Sequence, residues 1–185
     1  KIIKDIIQKK GPVTFACFMQ LALYYPERGY YTSNREIIGR EGDFYTSTHV
    51  NPVFGETLAE QLSQIADILG EPEFKIVEFG AGRGFLALDI LNGLKKKHPR
   101  VFEGTRYYIV EVGPGLKQRQ RELLEKEGGF GGKIKWLDSL KEIDKPICGC
   151  VISNELVDAF PVHIVKQVGM ELKEVYVGLK NNEFC

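Results

Sequence analysis

The sequence predicts an α/β fold: a mostly parallel sheet with crossover helices, preceded by an N-terminal helical part. Three observations point there. A short apolar strand (Ile76, Val77, Phe79) runs into a turn with glycines at 80, 82 and 84, and a helix follows from near Phe85. Downstream, a strand at Arg106 to Val112, a helix at Leu116 to Glu127 and strands at Lys133 to Leu137 and Ile147 to Ser153 continue the alternation. Strands separated by helices pair in parallel, because a parallel connection needs a long crossover. Finally, each strand ends in a polar side chain, so Glu78, Glu111, Asp138 and Asn154-Glu155 fall on one edge of the sheet. That carboxyl edge is where open α/β sheets bind ligands.

The elements follow in order. Lys1 to Lys10 sets Ile2, Ile3, Ile6 and Ile7 at helical spacing with lysines opposite, and Gly11-Pro12 ends the helix. Thr14 is the candidate N-cap of a second helix through about Tyr24, broken by Pro26 to Gly29. The loop from Gly42 to Pro52 is dense in hydroxyls and aromatics. It reads equally as local turn chemistry or as a lid over a ligand. A helix then runs from about Pro52 to Leu69, with Val53, Phe54, Leu58, Leu62, Ile65 and Leu69 apolar. The helix of Phe85 carries Leu86, Leu88, Ile90, Leu91 and Leu94, and glycines 128, 129, 131 and 132 close the helix after Glu111. His163 to Val168 and Glu174 to Leu179 form a predicted hairpin around Gly169. The expected organisation is an N-terminal helical part with a lid-like loop over 1–72 and a ligand-binding domain over 73–185. A doubly wound sheet usually has further strands, so the domain is expected to be truncated at its C-terminus.

Composition excludes several classes. With 185 residues and 43% hydrophobic, the chain can build a sizeable core. Lys+Arg and Asp+Glu both number 25, so the net charge is zero and nothing favours a nucleic-acid partner. No apolar run is long enough to cross a bilayer: Val13 to Tyr25 is too short and contains Gln20. No secretory signal is visible, although the chain opens at Lys1 without a Met. Cys17, Cys148, Cys150 and Cys185 form no CxxC pair and no Cys/His cluster with zinc spacing, so no metal is expected. Cys148 and Cys150 share one face of a predicted strand, a poor geometry for a disulfide. Buried free thiols in a reducing compartment are the expectation.

The candidate site begins at Glu78. Glycines at 80, 82 and 84 let a ligand approach the main chain, and the helix that follows offers unpaired N–H groups. Phe85 stands where a dinucleotide fingerprint wants its third glycine. A carboxylate just before the turn repels a pyrophosphate and suits S-adenosylmethionine (SAM), which carries an ammonium and a sulfonium. Glu111 can accept both ribose hydroxyls of an adenosine, or be a solvated acid or a cap for the helix after Gly113-Pro114. Asp138 can accept the adenine amino group, or cap the turn at Leu140. The fourth strand runs into Asn154, Glu155 and Asp158, beside the reacting methyl. Glu155 and Asp158 are three apart, so a helical turn would put them on one face. Two acids there suit a guanidinium, which stays protonated at physiological pH. His49 and His163 could serve as bases, although a lone histidine is more often structural.

These residues resemble the MidA family of SAM-dependent methyltransferases, which includes the mitochondrial arginine methyltransferase that assists assembly of respiratory complex I. Four stretches carry the resemblance: Gly11-Pro12 with Tyr24-Tyr25-Pro26 and Gly29-Tyr30-Tyr31; Gly42-Asp43-Phe44-Tyr45-Thr46-Ser47 with Phe54-Gly55-Glu56; Val77 to Gly84; and Ser153 to Val162. The resemblance implies a Rossmann-like class I SAM-dependent methyltransferase core. It also implies SAM as cofactor and a protein substrate bearing an arginine acceptor, with a complex I subunit as the expected target. It adds Thr46 and Ser47 to the cofactor residues Glu78, Gly80, Gly82, Gly84, Glu111 and Asp138, and places Asn154-Glu155 at the acceptor edge. The chain departs from the family at Ala81, where Pro is frequent, and at Thr48-His49, which replace a Pro-Glu pair. The implied location is cytoplasmic in a bacterium and the mitochondrial matrix in a eukaryote. Two alternatives stay open: a non-catalytic assembly factor built on the same fold, and an NAD-dependent oxidoreductase, which Glu78 and the missing third glycine disfavour.

Overall fold

A computed structural model describes residues 1–33, 51–130, 132–143 and 146–185. The chain divides into two compact units. One comprises the described residues of Lys1–Arg35 together with Val157–Cys185, and the other those of Glu36–Leu156.

The larger unit is the α/β fold that the alternation predicts. Numbering elements along the whole chain, it contains α3 (Val53–Leu69), β2 (Phe74–Phe79), α4 (Phe85–Lys97), α5 (Pro99–Gly104), β3 (Thr105–Val110), α6 (Pro114–Gly128), β4 (Ile134–Leu137) and β5 (Gly149–Ser153). The strands form one sheet in the order β4-β3-β2-β5, parallel at every pairing. Strand β2 is central and almost continuously buried, as a strand covered on both faces must be. After β2 the chain steps outward through β3 and β4, then returns to the other side of β2 as β5. The strand order reverses at the carboxyl end of β2, where the glycine turn begins, the place at which open α/β sheets bind ligands.

The principal core lies on one face. Phe74 and Ile76 of β2 and Tyr107 and Ile109 of β3 pack with Leu86, Ala87, Ile90, Leu91 and Leu94 of α4 and Ala59 and Leu62 of α3. Helices α3 and α4 approach closely through small residues: a Cβ added at Gly93 would lie 2.8 Å from that of Ala59. Val77, Val110 and Leu137 form a smaller cluster on the opposite face. The two-residue period of the strand places Glu78 in the principal layer, in line with Phe74 and Ile76. A carboxyl group is thereby built into the apolar layer itself.

The smaller unit joins α1 (Ile2–Lys10), β1 (Val13–Thr14) and α2 (Phe15–Tyr24) to the C-terminal strands β6 (Val165–Val168), β7 (Glu171–Glu174), β8 (Tyr176–Val177), β9 (Leu179–Lys180) and β10 (Glu183–Phe184). Thr14 caps α2 as expected, its side chain accepting from the Cys17 N–H at 3.1 Å. Two details differ from the sequence expectation. The hairpin pairs Val168 with Glu171, so Gly169 and Met170 form a two-residue connection and the second strand ends at Glu174. Gly169 has φ 63, the left-handed backbone that such tight connections demand. The remainder of the expected second strand becomes β8, which pairs instead with β1. The short helix α5 was not legible as a separate element.

The cysteines are free, as expected, but not buried: Cys17 and Cys185 are exposed and Cys148 and Cys150 half-buried. Cys148 precedes β5, so only Cys150 lies in the strand, and among the described residues β5 stands at the edge of the sheet. Among the described residues no helix is long and apolar enough to cross a membrane, and no cluster of His, Cys, Asp and Glu could hold a metal.

Candidate functional site

The glycine turn leaves β2 with three left-handed residues, Gly80 (φ 63), Gly82 (φ 57) and Gly84 (φ 90). Side chains other than glycine are strained at such angles. The Gly80 N–H donates to the Val110 carbonyl at 3.2 Å, and that of Gly84 to Ala81 at 2.8 Å. The turn is therefore anchored to β3 and closed on itself before α4 starts.

Glu78 lies beneath this turn and is 2% exposed. The Tyr107 hydroxyl donates to its Oε2 at 2.8 Å. Burial drives the Glu78 carboxyl up to about 7; the Tyr107 hydrogen bond opposes this and the negative charge of Glu111 adds to it. The group thus titrates near neutrality, unusual for a glutamate and characteristic of functional sites.

Glu111 follows β3 directly and is 8% exposed. Its Oε1 accepts the Gly113 N–H at 2.8 Å and its Oε2 accepts from Gln120 Nε2 at 3.3 Å. Burial raises this carboxyl, against hydrogen bonds from Gly113 and Gln120 and the charge of Lys117. One position thus supplies a carboxylate whose orientation is fixed from both oxygens.

Asp138 follows β4 and points to solvent, with its side chain 79% exposed and ion-paired to Lys117. It does not cap the next turn. Ser139 does that, with Glu142 Oε1 accepting from the N–H groups of Asp138 (2.6 Å) and Ser139 (2.9 Å) in a capping box.

Asn154 and Glu155 leave β5 half-buried and exposed respectively. Glu155 has φ 48, a left-handed conformation in a residue that rarely adopts it. The helical turn begins only at Val157, so the expected shared face of Glu155 and Asp158 is not formed. The reversed backbone at Glu155 interrupts the helical spacing. Asp158 belongs to the smaller unit, where its charge helps burial to raise the Tyr31 phenol. Next to Glu155, Leu156 reaches back over the glycine turn: a Cβ added at Gly80 would lie 2.7 Å from its Cδ1. The exit of β5 and the glycine turn are therefore in contact.

His163 Nδ1 meets Glu174 Oε1 across the β6–β7 hairpin, a structural pairing. Thr46, Ser47 and His49, with the rest of the lid-like loop through residue 50, lie outside the described residues.

Sequence reasoning missed Gln120, Tyr107 and Trp136, which are hydrogen-bonded to the two buried acids or to each other. One signal was present. Gln120 stands between Leu116 and Leu124 at four-residue spacing, a polar residue in the middle of an apolar helical stripe.

The comparisons with known proteins fall on this geometry. The model of a family of S-adenosyl-L-methionine-dependent methyltransferases matches residues 57–185. The mitochondrial protein arginine methyltransferase NDUFAF7 homolog of Drosophila melanogaster is 31% identical over 202 residues, covering 99% of this chain and 45% of that protein. The human mitochondrial protein arginine methyltransferase NDUFAF7 is 29% identical over 192 residues, covering 94% and 43%. A crystal structure of a Burkholderia thailandensis protein bound to S-adenosyl-homocysteine superposes with a TM-score of 0.85 at 31% identity, covering 100% of this chain and 47% of that one. The chain spans under half the length of these relatives. With the parallel sheet, the acid-preceded glycine turn and a family match over residues 57–185, the chain belongs to the S-adenosyl-L-methionine-dependent methyltransferase family.

Proposed function

We propose that this chain carries the cofactor-binding core of a protein arginine N-methyltransferase. The observation that carries the reading is Glu78, a carboxyl buried under a glycine turn with its pKa pushed up to about 7. A buried carboxylate is costly unless opposite charge compensates it. A ligand bringing an ammonium or a sulfonium supplies that charge, whereas a pyrophosphate adds repulsion, so the donor set fits SAM. In this reading Glu78, Gly80, Gly82 and Gly84 hold the amino-acid end, Glu111 accepts the ribose hydroxyls and Asp138 meets the adenine edge. Thr46 and Ser47 join this set through the resemblance to the MidA family.

When bound, SAM supplies an electrophilic methyl group on a sulfonium. The chain's own residues supply placement and charge. Leu156 packs on Gly80, and in this reading Asn154 and Glu155, which precede it, receive the acceptor. A guanidinium keeps its proton at neutral pH until it reacts; a carboxylate at Glu155 orients it, draws its charge away from the attacking nitrogen, and can accept the proton that this nitrogen releases as its bond to the methyl group forms. The arginine methyltransferase names of the relatives support this acceptor class, and the MidA resemblance extends it to a complex I subunit or its bacterial equivalent. Their mitochondrial names support a matrix location in a eukaryote, with the cytoplasm as the counterpart in a bacterium.

The test is transfer of tritiated methyl from SAM, catalysed by the purified protein, into a lysate of cells lacking it. Label on arginine of one discrete protein is expected. Label on another residue type overturns the acceptor assignment. Absence of label despite measurable S-adenosylhomocysteine binding overturns catalysis in favour of a non-catalytic assembly role.

A further inference from the structure

We propose that Gln120 is a positioning residue that locks the glycine turn to Glu111 and so sets the geometry of the cofactor pocket. Gln120 is fully buried on α6, between Leu116 and Leu124. Its amide bridges three elements. Nε2 donates to the Gly82 carbonyl at 2.9 Å and to Glu111 Oε2 at 3.3 Å, while Oε1 accepts from Trp136 Nε1 on β4 at 3.0 Å. The indole N–H can only donate, so the amide oxygen must face Trp136 and the amide nitrogen must face the two acceptors. The orientation of the side chain is thereby unambiguous.

Packing alone does not call for this residue. A leucine or methionine would continue the stripe, and a buried amide is tolerated only when its hydrogen bonds are made. All of these bonds go to the site or to its support. One fixes the peptide at Gly82, in the middle of the turn. A second, with the Gly113 N–H, holds the Glu111 carboxylate from both oxygens. The turn at the end of β2 and the acid at the end of β3 are thus held by one side chain rather than set independently.

This inference rests on the cofactor reading, so its test has one arm without ligand. Glu111 is titrated by carboxyl-carbon NMR in the unliganded protein and in Gln120→Met, whose side chain has similar volume and no amide. Besides Gln120, the Gly113 and Val112 backbone and Lys117 favour the charged form of Glu111, and Glu78 is the acid it couples to. Loss of the amide is expected to shift the Glu111 titration upward; an unchanged titration overturns the coupling. In the second arm, S-adenosylhomocysteine is titrated by calorimetry and by the emission of Trp136, the chain's single tryptophan. Gln120→Met is expected to weaken binding ~10- to 100-fold, the range of a hydrogen bond to a charged group, and to remove the emission change on binding. Equal affinity with an intact emission change overturns the positioning role. A Glu111 titration that shifts upward in Gln120→Met while the wild type binds no S-adenosylhomocysteine overturns the cofactor reading instead. Should Gln120→Met fail to fold, Trp136→Phe removes the indole donor while keeping an aromatic ring in place: affinity weakened several-fold supports the lock, and unchanged affinity overturns it.

Discussion

Two sets of acids line the carboxyl edge of the sheet, and they are built in opposite ways. Glu78 and Glu111 are buried, hydrogen-bonded to Tyr107, Gly113 and Gln120, and raised in pKa. Asp138 and Glu155 are exposed, the first tied to Lys117 and the second carried on a left-handed backbone. The first pair costs folding energy and is held rigidly by neighbours. The second pair costs little and acquires influence only when something covers it. Under the proposed function the difference separates two acids organised before any ligand arrives, Glu78 and Glu111, from two that meet their partners at the surface, Asp138 at the adenine edge and Glu155 at the acceptor.

Substitutions at the two sets should therefore fail differently. Under the proposed function Glu78→Gln is expected to give the largest effect, a loss of SAM affinity of at least ~100-fold by calorimetry, because it removes the buried charge that the cofactor's ammonium would meet. The same variant should raise thermal stability at pH 8. The folded pKa of Glu78, about 7, lies above its unfolded value of 4.5, so its stabilisation is complete below pH 4.5 and is lost as pH rises through 7. The amide has no such loss, and a gain of up to about 3 kcal/mol is expected from a shift of this size. Lower stability of Glu78→Gln at pH 8 than at pH 5, relative to wild type, would break the comparison.

Glu155→Gln comes next. Methyl transfer should fall roughly 10- to 100-fold, as when one electrostatic contact to the reacting group is lost, with SAM affinity and thermal midpoint unchanged. Weakened SAM binding there would place Glu155 with the cofactor set. Asp138→Asn should be smallest, within about threefold in affinity and diminishing with salt, since its partner Lys117 is met at the solvent edge. A loss comparable to that of Glu78→Gln would mean that exposure does not divide the two sets.

The parts of this site readable from the sequence are those whose signal is local. The glycine turn, the strand before it and the acids at strand ends follow from spacing and period, and the parallel order follows from the intervening helices. What was unreadable depends on partners distant along the chain. Nothing near Glu78 announces Tyr107, which lies one strand away. Gln120 interrupts an apolar stripe, which marks it as unusual, but its role is unreadable until Gly82 and Trp136 are placed beside it. The pairing of Glu155 with Asp158 failed because helical spacing presumes helical backbone, and φ 48 at Glu155 breaks it. The hairpin register was missed likewise: the connection at Gly169 is only two residues long, so the second strand lies at Glu171–Glu174 instead of beginning at Glu174, and β8 pairs with β1.

Leu156 resting on Gly80 means that two positions far apart in the chain share one volume. An alanine at 80 is penalised twice, by overlap with the leucine and by its left-handed backbone. Trimming Leu156 to alanine can remedy only the first of these. The gap between the single and double variants would then weigh steric crowding against torsional strain at a methyltransferase turn, two quantities that substitution at either position alone leaves entangled.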